Sequence, residues 1–289
     1  MSLRILTFDI EDWFHILDHA ETKGEAEWAR FESRLKLNVD RILQLLETQS
    51  QKATFFCLGW VAEHHGEVLR SIVEAGHEVA CHSHLHQLVY EQAPKEFAAD
   101  LHRALAALED ATGQKIRAYR APGFSMKPEC LWAFEKLIEA GIEVDCSIFP
   151  APRAHGGFPD FGTARPCLLD TPSGSLREFP INTATVLGRP VVFSGGGYFR
   201  LIPYTLIQRF TEASTYTMTY FHPRDFDPDQ PMLQSLGPFR RFKSYVGLRS
   251  AQAKLERWLR QQRFVDLATA EAQVDWSRVD RLSLGTPTR

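Results

Sequence analysis

The chain lacks any apolar run of the roughly 20 residues that a membrane-spanning helix requires. It also lacks a basic excess: 33 Lys and Arg against 36 Asp and Glu leave a net charge of −3. That balance excludes a general nucleic-acid binder, which carries a strong positive surplus. Cysteine is scarce, five residues without Cys-x-x-Cys spacing, so reduced thiols are expected and a disulfide framework is not. Cys57, Cys81 and Cys146 lie in apolar runs, where a small buried hydrophobe is expected. The opening Met1-Ser2-Leu3-Arg4-Ile5-Leu6-Thr7-Phe8-Asp9 reads as a strand and not as a secretory leader, so the expected compartment is the cytoplasm. No Gly-x-Ser-x-Gly elbow is present, which disfavours a serine esterase. The run Ser194-Gly195-Gly196-Gly197 is not followed by Gly-Lys-Ser/Thr and is no P-loop.

What is present is an alternation of strand-like and helix-like segments. Leu35, Val39, Ile42, Leu43 and Leu46 share one helical face, and Ala53 to Leu58 reads as a buried strand. Helices from about Glu67, Pro94 and Pro128 stop at Gly76, Gly113 and Gly141, and short strands follow each stop. From Pro150 to Pro190 the pattern breaks into loops and hairpins. Helices at Pro203 to Ala213 and Ser250 to Gln262 then alternate with strands at Tyr216 to Phe221 and Phe264 to Leu267. The pattern predicts parallel strands wrapped by helices, an α/β sheet or barrel. One domain is expected over residues 1–272, with an extension from about 224 and a loosely held tail at 273–289.

Polar residues gather where predicted strands end, which is where α/β folds place their sites. The first strand ends in Asp9-Ile10-Glu11-Asp12, the third in His82-Ser83-His84-Leu85-His86, the fourth in Arg120-Ala121-Pro122-Gly123, the fifth in Asp145-Cys146-Ser147 and a late one in Phe221-His222-Pro223. His82 and His86 are four apart, so one helical turn would set them side by side. Two imidazoles and a carboxylate suit zinc or a similar divalent metal and leave a position open for water. His84, between them, is expected to point away; His64, His65, His102 and His155 read as surface residues.

In this order, Thr7-Phe8-Asp9, His82-Ser83-x-x-His86, Arg120-x-Pro122, Asp145-x-Ser147 and Phe221-His222 resemble the motifs of the NodB-like polysaccharide deacetylases, carbohydrate esterase family 4. The segments Asp9-Ile10-Glu11-Asp12-Trp13-Phe14-His15, Glu178-Phe179-Pro180, Ser194 to Arg200 and Phe221-His222-Pro223, with Arg240, Arg241 and Tyr245, resemble a narrower branch that accompanies exosortase and PEP-CTERM exopolysaccharide systems. The resemblance implies a distorted (β/α) barrel, with a hairpin-containing insertion and a C-terminal extension. It further implies metal-dependent N-deacetylation of an acetylated glycan in exopolysaccharide biosynthesis.

Carried over residue by residue, the resemblance makes Asp9 the general base, with Arg120 keeping it ionised. His82, His86 and a carboxylate would hold the metal, most readily zinc. The family has two adjacent aspartates; here Ile10 follows Asp9, so the carboxylate ligand falls to Asp12 or Glu11. Asp12 is favoured, because a short carboxylate at a strand-to-loop break can turn back to the metal. The backbone N–H of Gly123 would hold the oxyanion, and His222 would protonate the leaving amine with Asp145 orienting its ring. Trp13, His15 and Tyr198 would line the substrate groove. Nine basic residues against four acidic ones between Arg224 and Arg263 suit an anionic glycan, a lipid-linked intermediate or a membrane surface. Other readings are hydrolysis of another amide or a cyclic imide on the same scaffold, and an inactive glycan-binding barrel.

Overall fold

The computed structural model describes residues 2–17 and 19–284. Four parallel crossovers lay down strands β2 (Thr7–Ile10), β3 (Thr54–Cys57), β4 (Glu78–Cys81), β5 (Ala118–Tyr119) and β6 (Val144–Asp145) side by side in chain order. The intervening helices include Leu35–Thr48, Gly66–Glu74, Pro94–Thr112 and Trp132–Glu139. A short β1 (Leu3–Ile5) precedes them.

The expected hairpins follow. They are β7 (Cys167–Thr171) with β8 (Gly174–Glu178), and β9 (Ala184–Val186) with β10 (Arg189–Val191). β8 continues the sheet by pairing parallel to β6. β11 (Tyr216–Met218) pairs parallel to β1, and just past it Phe221 bridges Phe8 while Tyr220 bridges Gly195. These contacts curl the mostly parallel sheet towards closure, which is the distorted α/β barrel expected.

The glycine run serves that closure. A Cβ on Gly195 would stand 2.1 Å from the Tyr220 carbonyl oxygen, so only glycine lets the two backbones meet.

Two C-terminal expectations differ from the structure. Phe264 to Leu267 contributes only a single bridge, Val265 to Ile5. Asp266 accepts a hydrogen bond from the Thr269 N–H at 2.7 Å and caps a helix over Leu267–Gln273. Within the stretch expected to be loosely held, β12 (Asp280–Ser283) pairs parallel to β7. Residues 285–289 of that stretch lie outside the described residues.

Pairing register decides which side chains face inward. Ile10, Cys57, Cys81, Tyr119 and Asp145 stand in one row across the sheet. The first four pack into the large apolar layer beneath the helices, with Val39, Ile42, Leu69, Phe97, Leu101 and Leu108. Phe56, Ala80, Ala118 and Val144 belong to a second cluster, inside the barrel. Because side chains alternate along a strand, residues one step after that row can emerge inward on one rim, as Glu11, His82 and Arg120 do. All five cysteines are buried and unpaired.

Candidate active site

At that rim the side chains of Asp9, Glu11, His82, His86, Arg120 and His222 converge. Glu11 lies at the centre. Its Oε1 is 3.1 Å from His82 Nε2, 2.9 Å from His86 Nε2 and 3.7 Å from His222 Nε2. His82 Nδ1 is 2.7 Å from the Arg120 carbonyl oxygen, which can only accept, so the ring proton sits on Nδ1. Nε2, on the other edge of the ring, faces the Glu11 carboxylate oxygen. Two imidazole nitrogens gathered on one carboxylate oxygen suit a shared cation. The ligand atoms of Glu11, His82 and His86 all lie within 4.8 Å of one another, as do those of Asp9, Glu11 and His222. Two imidazoles and one carboxylate, with further ligand atoms alongside, fit a divalent metal with an open coordination position. Burial pushes the Glu11 carboxyl up, but the His86 and His222 imidazoles and the hydrogen bond from His82 outweigh it and hold it well below the usual carboxylate range.

Asp12, the carboxylate expected beside His82 and His86, does not join them; Glu11 does. The Asp12 carboxylate turns outward, accepting the Trp13 N–H at 2.8 Å, the Ser33 hydroxyl at 2.5 Å and the Arg34 N–H at 3.2 Å. The physical reason is the strand period: Asp9 points in and Ile10 out, so Glu11 points in and Asp12 does not. Extending the alternation by one residue is the signal that finds Glu11.

The His-Ser-x-x-His segment is no helical turn. Ser83 and His86 take left-handed φ values of 68° and 54°, strained for both residue types. Asp100, on the helix Pro94–Thr112, holds the loop by accepting the His84 N–H at 2.8 Å and the Leu85 N–H at 3.0 Å. Ser83 Oγ accepts the His86 N–H at 3.1 Å. His84 points away from the site and lies 3.7 Å from Glu63.

Asp9 and Arg120 form a fully buried ion pair, with Nη1 2.6 Å from Oδ1. Arg120 also donates to Thr7 Oγ1 at 2.7 Å, and its guanidinium lies 4.1 Å from the Phe56 ring centroid. The other Asp9 oxygen, Oδ2, is 3.9 Å from His222 Nε2.

Asp145 does not orient His222. It stands in the outward row with Tyr119 and accepts the Ser147 hydroxyl at 2.6 Å. Ser147 Oγ in turn accepts the Ala121 N–H at 2.8 Å, so Asp145 supports the turn that follows Arg120. The group that orients the histidine is Asp225, whose Oδ2 accepts the His222 backbone N–H at 2.9 Å and faces Nδ1 at 3.1 Å. Arg200 holds the second Asp225 oxygen at 3.2 Å. His-Pro-x-Asp is itself a helix-start pattern, an acidic residue three positions on with Pro at the first helical position. Burial lowers the His222 pKa, but Glu11, the Asp225 hydrogen bond and Asp9 raise it more, to about 9.

Of the residues expected to contact substrate, Trp13 is buried. It donates to the Glu32 carbonyl and packs on Phe14 and Phe31, so it is core. His15 is likewise enclosed by Trp28 and Trp60. Tyr198 is exposed on the short helix Gly196–Leu201. Gly123 takes φ 62° in the turn after Arg120, against Leu17 and Leu88.

Residues 19–138 match the family model for polysaccharide deacetylase, and residues 146–271 match a domain of unknown function, DUF3473. A peptidoglycan deacetylase of Helicobacter pylori is 28% identical over 118 residues, 39% of this chain and 38% of that protein, so the match spans well under half of either. A Mycobacterium smegmatis structure assigned as a polysaccharide deacetylase superposes with a TM-score of 0.68 at 20% identity, covering 99% of this chain and 94% of that one. A family 4 carbohydrate esterase pseudoenzyme from Bacillus anthracis gives 0.50 at 14% identity, over 97% and 69%. A 4-alpha-glucanotransferase from Thermococcus litoralis gives 0.58 at 12%, over 98% and 42%. At such identities these structures speak for the fold alone, and a fold does not fix chemistry. Residues 19–138 are thus similar to polysaccharide deacetylases, and the solved structures share the fold of the whole chain.

Proposed function

We propose that this chain is a metal-dependent N-deacetylase of an amino-sugar glycan. The observation that carries the reading is the convergence of Glu11, His82 and His86 on one point beside the Asp9–Arg120 pair and His222. A pure binding protein has no need of a buried carboxylate and a cationic imidazole on either side of a metal position. A divalent metal, zinc being the best match to this donor set, supplies Lewis acidity towards the acetyl carbonyl.

The residues of the chain do the rest. Asp9 takes the proton of the attacking water on Oδ2, the oxygen not bound to Arg120. Arg120 fixes the Asp9 rotamer and keeps the carboxylate charged. His222, cationic at neutral pH and oriented by Asp225, gives its Nε2 proton to the departing amine. The Gly123 N–H is assigned to the developing oxyanion. Glu11 replaces Asp12 as the carboxylate ligand in this proposal, and Asp225 replaces Asp145 as the partner of His222.

Resemblance to the exosortase-associated branch supports a role in exopolysaccharide biosynthesis, and five unpaired buried thiols suit a reducing cytoplasm. Among the described residues no helix is long and apolar enough to cross a membrane. The basic extension supports peripheral contact with a membrane-linked intermediate. Acetate release from N-acetylglucosamine oligomers tests the proposal, measured with metal, after chelation and in Asp9→Ala. Activity that survives both chelation and Asp9→Ala would sink it.

A further inference from the structure

The arginines around the site, Arg120 and Arg200 buried and Arg224 and Arg153 half-buried, fall into two kinds. Arg120 and Arg200 each have a carboxylate partner, Asp9 and Asp225. Arg224 and Arg153 make no ion pair among the described residues. Arg224, two residues after His222, donates from Nε to Gln230 at 3.1 Å and lies 5.8 Å from the Tyr245 ring centroid. Its Nη2 is buried and has no hydrogen-bond partner. The nearest acid in sequence, Asp225, is already engaged by Arg200 and His222.

Arg153 rests among the rings of Phe124, Phe149 and Tyr220, at 4.9, 5.0 and 5.3 Å. Its Nη1 is likewise buried without a partner. Phe124 follows Gly123 in the turn after Arg120, and Tyr220 precedes His222 by two residues. The Arg153 loop is tied to that turn by the Gly157 N–H, which donates to the Phe124 carbonyl at 3.0 Å. Both cations therefore hang on the backbone segments that carry the proposed oxyanion donor and acid.

Burying a guanidinium N–H without an acceptor is costly, and a planar fork of N–H donors is matched by carboxylate or phosphate oxygens. We infer that the glycan taken by this site carries an oxyanion group, a carboxylate or a phosphoryl, near the N-acetylated sugar, and that Arg224 and Arg153 receive it. The inference rests on the deacetylase reading for the identity of the sugar, but not for the anion. It makes the preferred substrate an acidic amino sugar or a glycosyl phosphate in place of a neutral chitin-like chain.

Isothermal titration of the full chain with the deacetylated sugars separates the two ideas. Glucosamine, glucosamine 1-phosphate and 2-amino-2-deoxyglucuronic acid are compared. At least one anionic sugar should bind about tenfold more tightly than glucosamine, and which one does so tells phosphoryl from carboxylate. In Arg224→Gln combined with Arg153→Gln the ratio should fall towards one, and Arg224→Lys should keep part of it. Equal binding of all three sugars overturns the inference. So does a preference that survives in the double variant, since the metal site would then be holding the anion. Acetate release from the N-acetyl forms is followed in parallel. Selective binding without acetate release sinks the deacetylase reading and leaves the anion site standing. Acetate release without anion preference does the reverse.

Discussion

The Asp225 carboxylate lies 3.1 Å from Nδ1 of His222, while Nε2 on the opposite edge of the ring faces Glu11 and Asp9 at 3.7 and 3.9 Å. One imidazole is thus held between a structural carboxylate and the reacting centre. That arrangement fixes both the ring orientation and the nitrogen that delivers the proton. It also means that His222 has a folded-state pKa above its ordinary value, with consequences that can be measured.

The cationic form of His222 persists to about pH 9. Acetate release should hold through neutral pH and fall as pH rises through about 9. The stabilisation from this ion pair should be fully present below the ordinary histidine pKa near 6.5 and lost over the same alkaline rise. Asp225→Asn should lower kcat roughly 10- to 100-fold and move the alkaline limb to lower pH. An unchanged limb in that variant would show that Asp225 does not set the histidine.

Glu11→Gln and Asp12→Asn should separate cleanly. The first should reduce bound divalent metal, read by mass spectrometry of the dialysed protein, from about one per chain towards none. The second should leave metal content intact while lowering the melting temperature, because the Ser33 and Arg34 donors lose a charged acceptor. Metal loss in Asp12→Asn alone would restore Asp12 as the ligand.

Arg120→Met leaves Asp9 buried without its cation. The expected cost is about 3–5 kcal/mol of folding stability, since removing one partner of a buried pair strands the other. Urea unfolding checks this, and a loss below about 1 kcal/mol would mean that Asp9 is protonated or hydrated in the variant.

Gly59→Ala tests how tightly the histidine loop is packed. The added Cβ would stand 2.3 Å from His84 Nδ1 and 2.7 Å from the Ala104 backbone. Neither can yield without moving the loop or the helix Pro94–Thr112. The variant should melt several degrees lower and bind metal at least tenfold more weakly. Asp100→Ala should show the same pairing of effects, through the loss of the acceptor for the His84 and Leu85 N–H groups. Wild-type metal affinity in both variants would show that the loop does not depend on these supports.

Much of this site is local in origin, and that part is legible in the chain. Alternating apolar periodicity produces parallel strands, and parallel strands put their following residues on one rim. Asp9, His82, Arg120 and His222 could therefore be named from the motifs alone. The hairpins between Pro150 and Pro190 were legible too, from their Gly and Pro punctuation. The helix at Leu267–Gln273 was not, because its cap at Asp266 stands beside a short apolar run that also reads as a strand.

Other assignments depend on neighbours distant in sequence. Asp145 and Asp225 are both carboxylates close to a strand end, and only register shows that one shares the outward row with Tyr119 while the other turns back onto His222. Trp13 reads as a groove aromatic until Phe14, Phe31 and the Glu32 carbonyl enclose it. The sequence by itself determined the alternation of elements and the inventory of reactive side chains at the strand ends. The tertiary structure decided which of two adjacent carboxylates meets the histidines, which acid orients His222 and which arginines are left without a counter-ion. The physical reason is that a side chain's direction is set by strand parity and by what packs against it, and packing joins residues more than 200 positions apart, as Asp9 and His222 are.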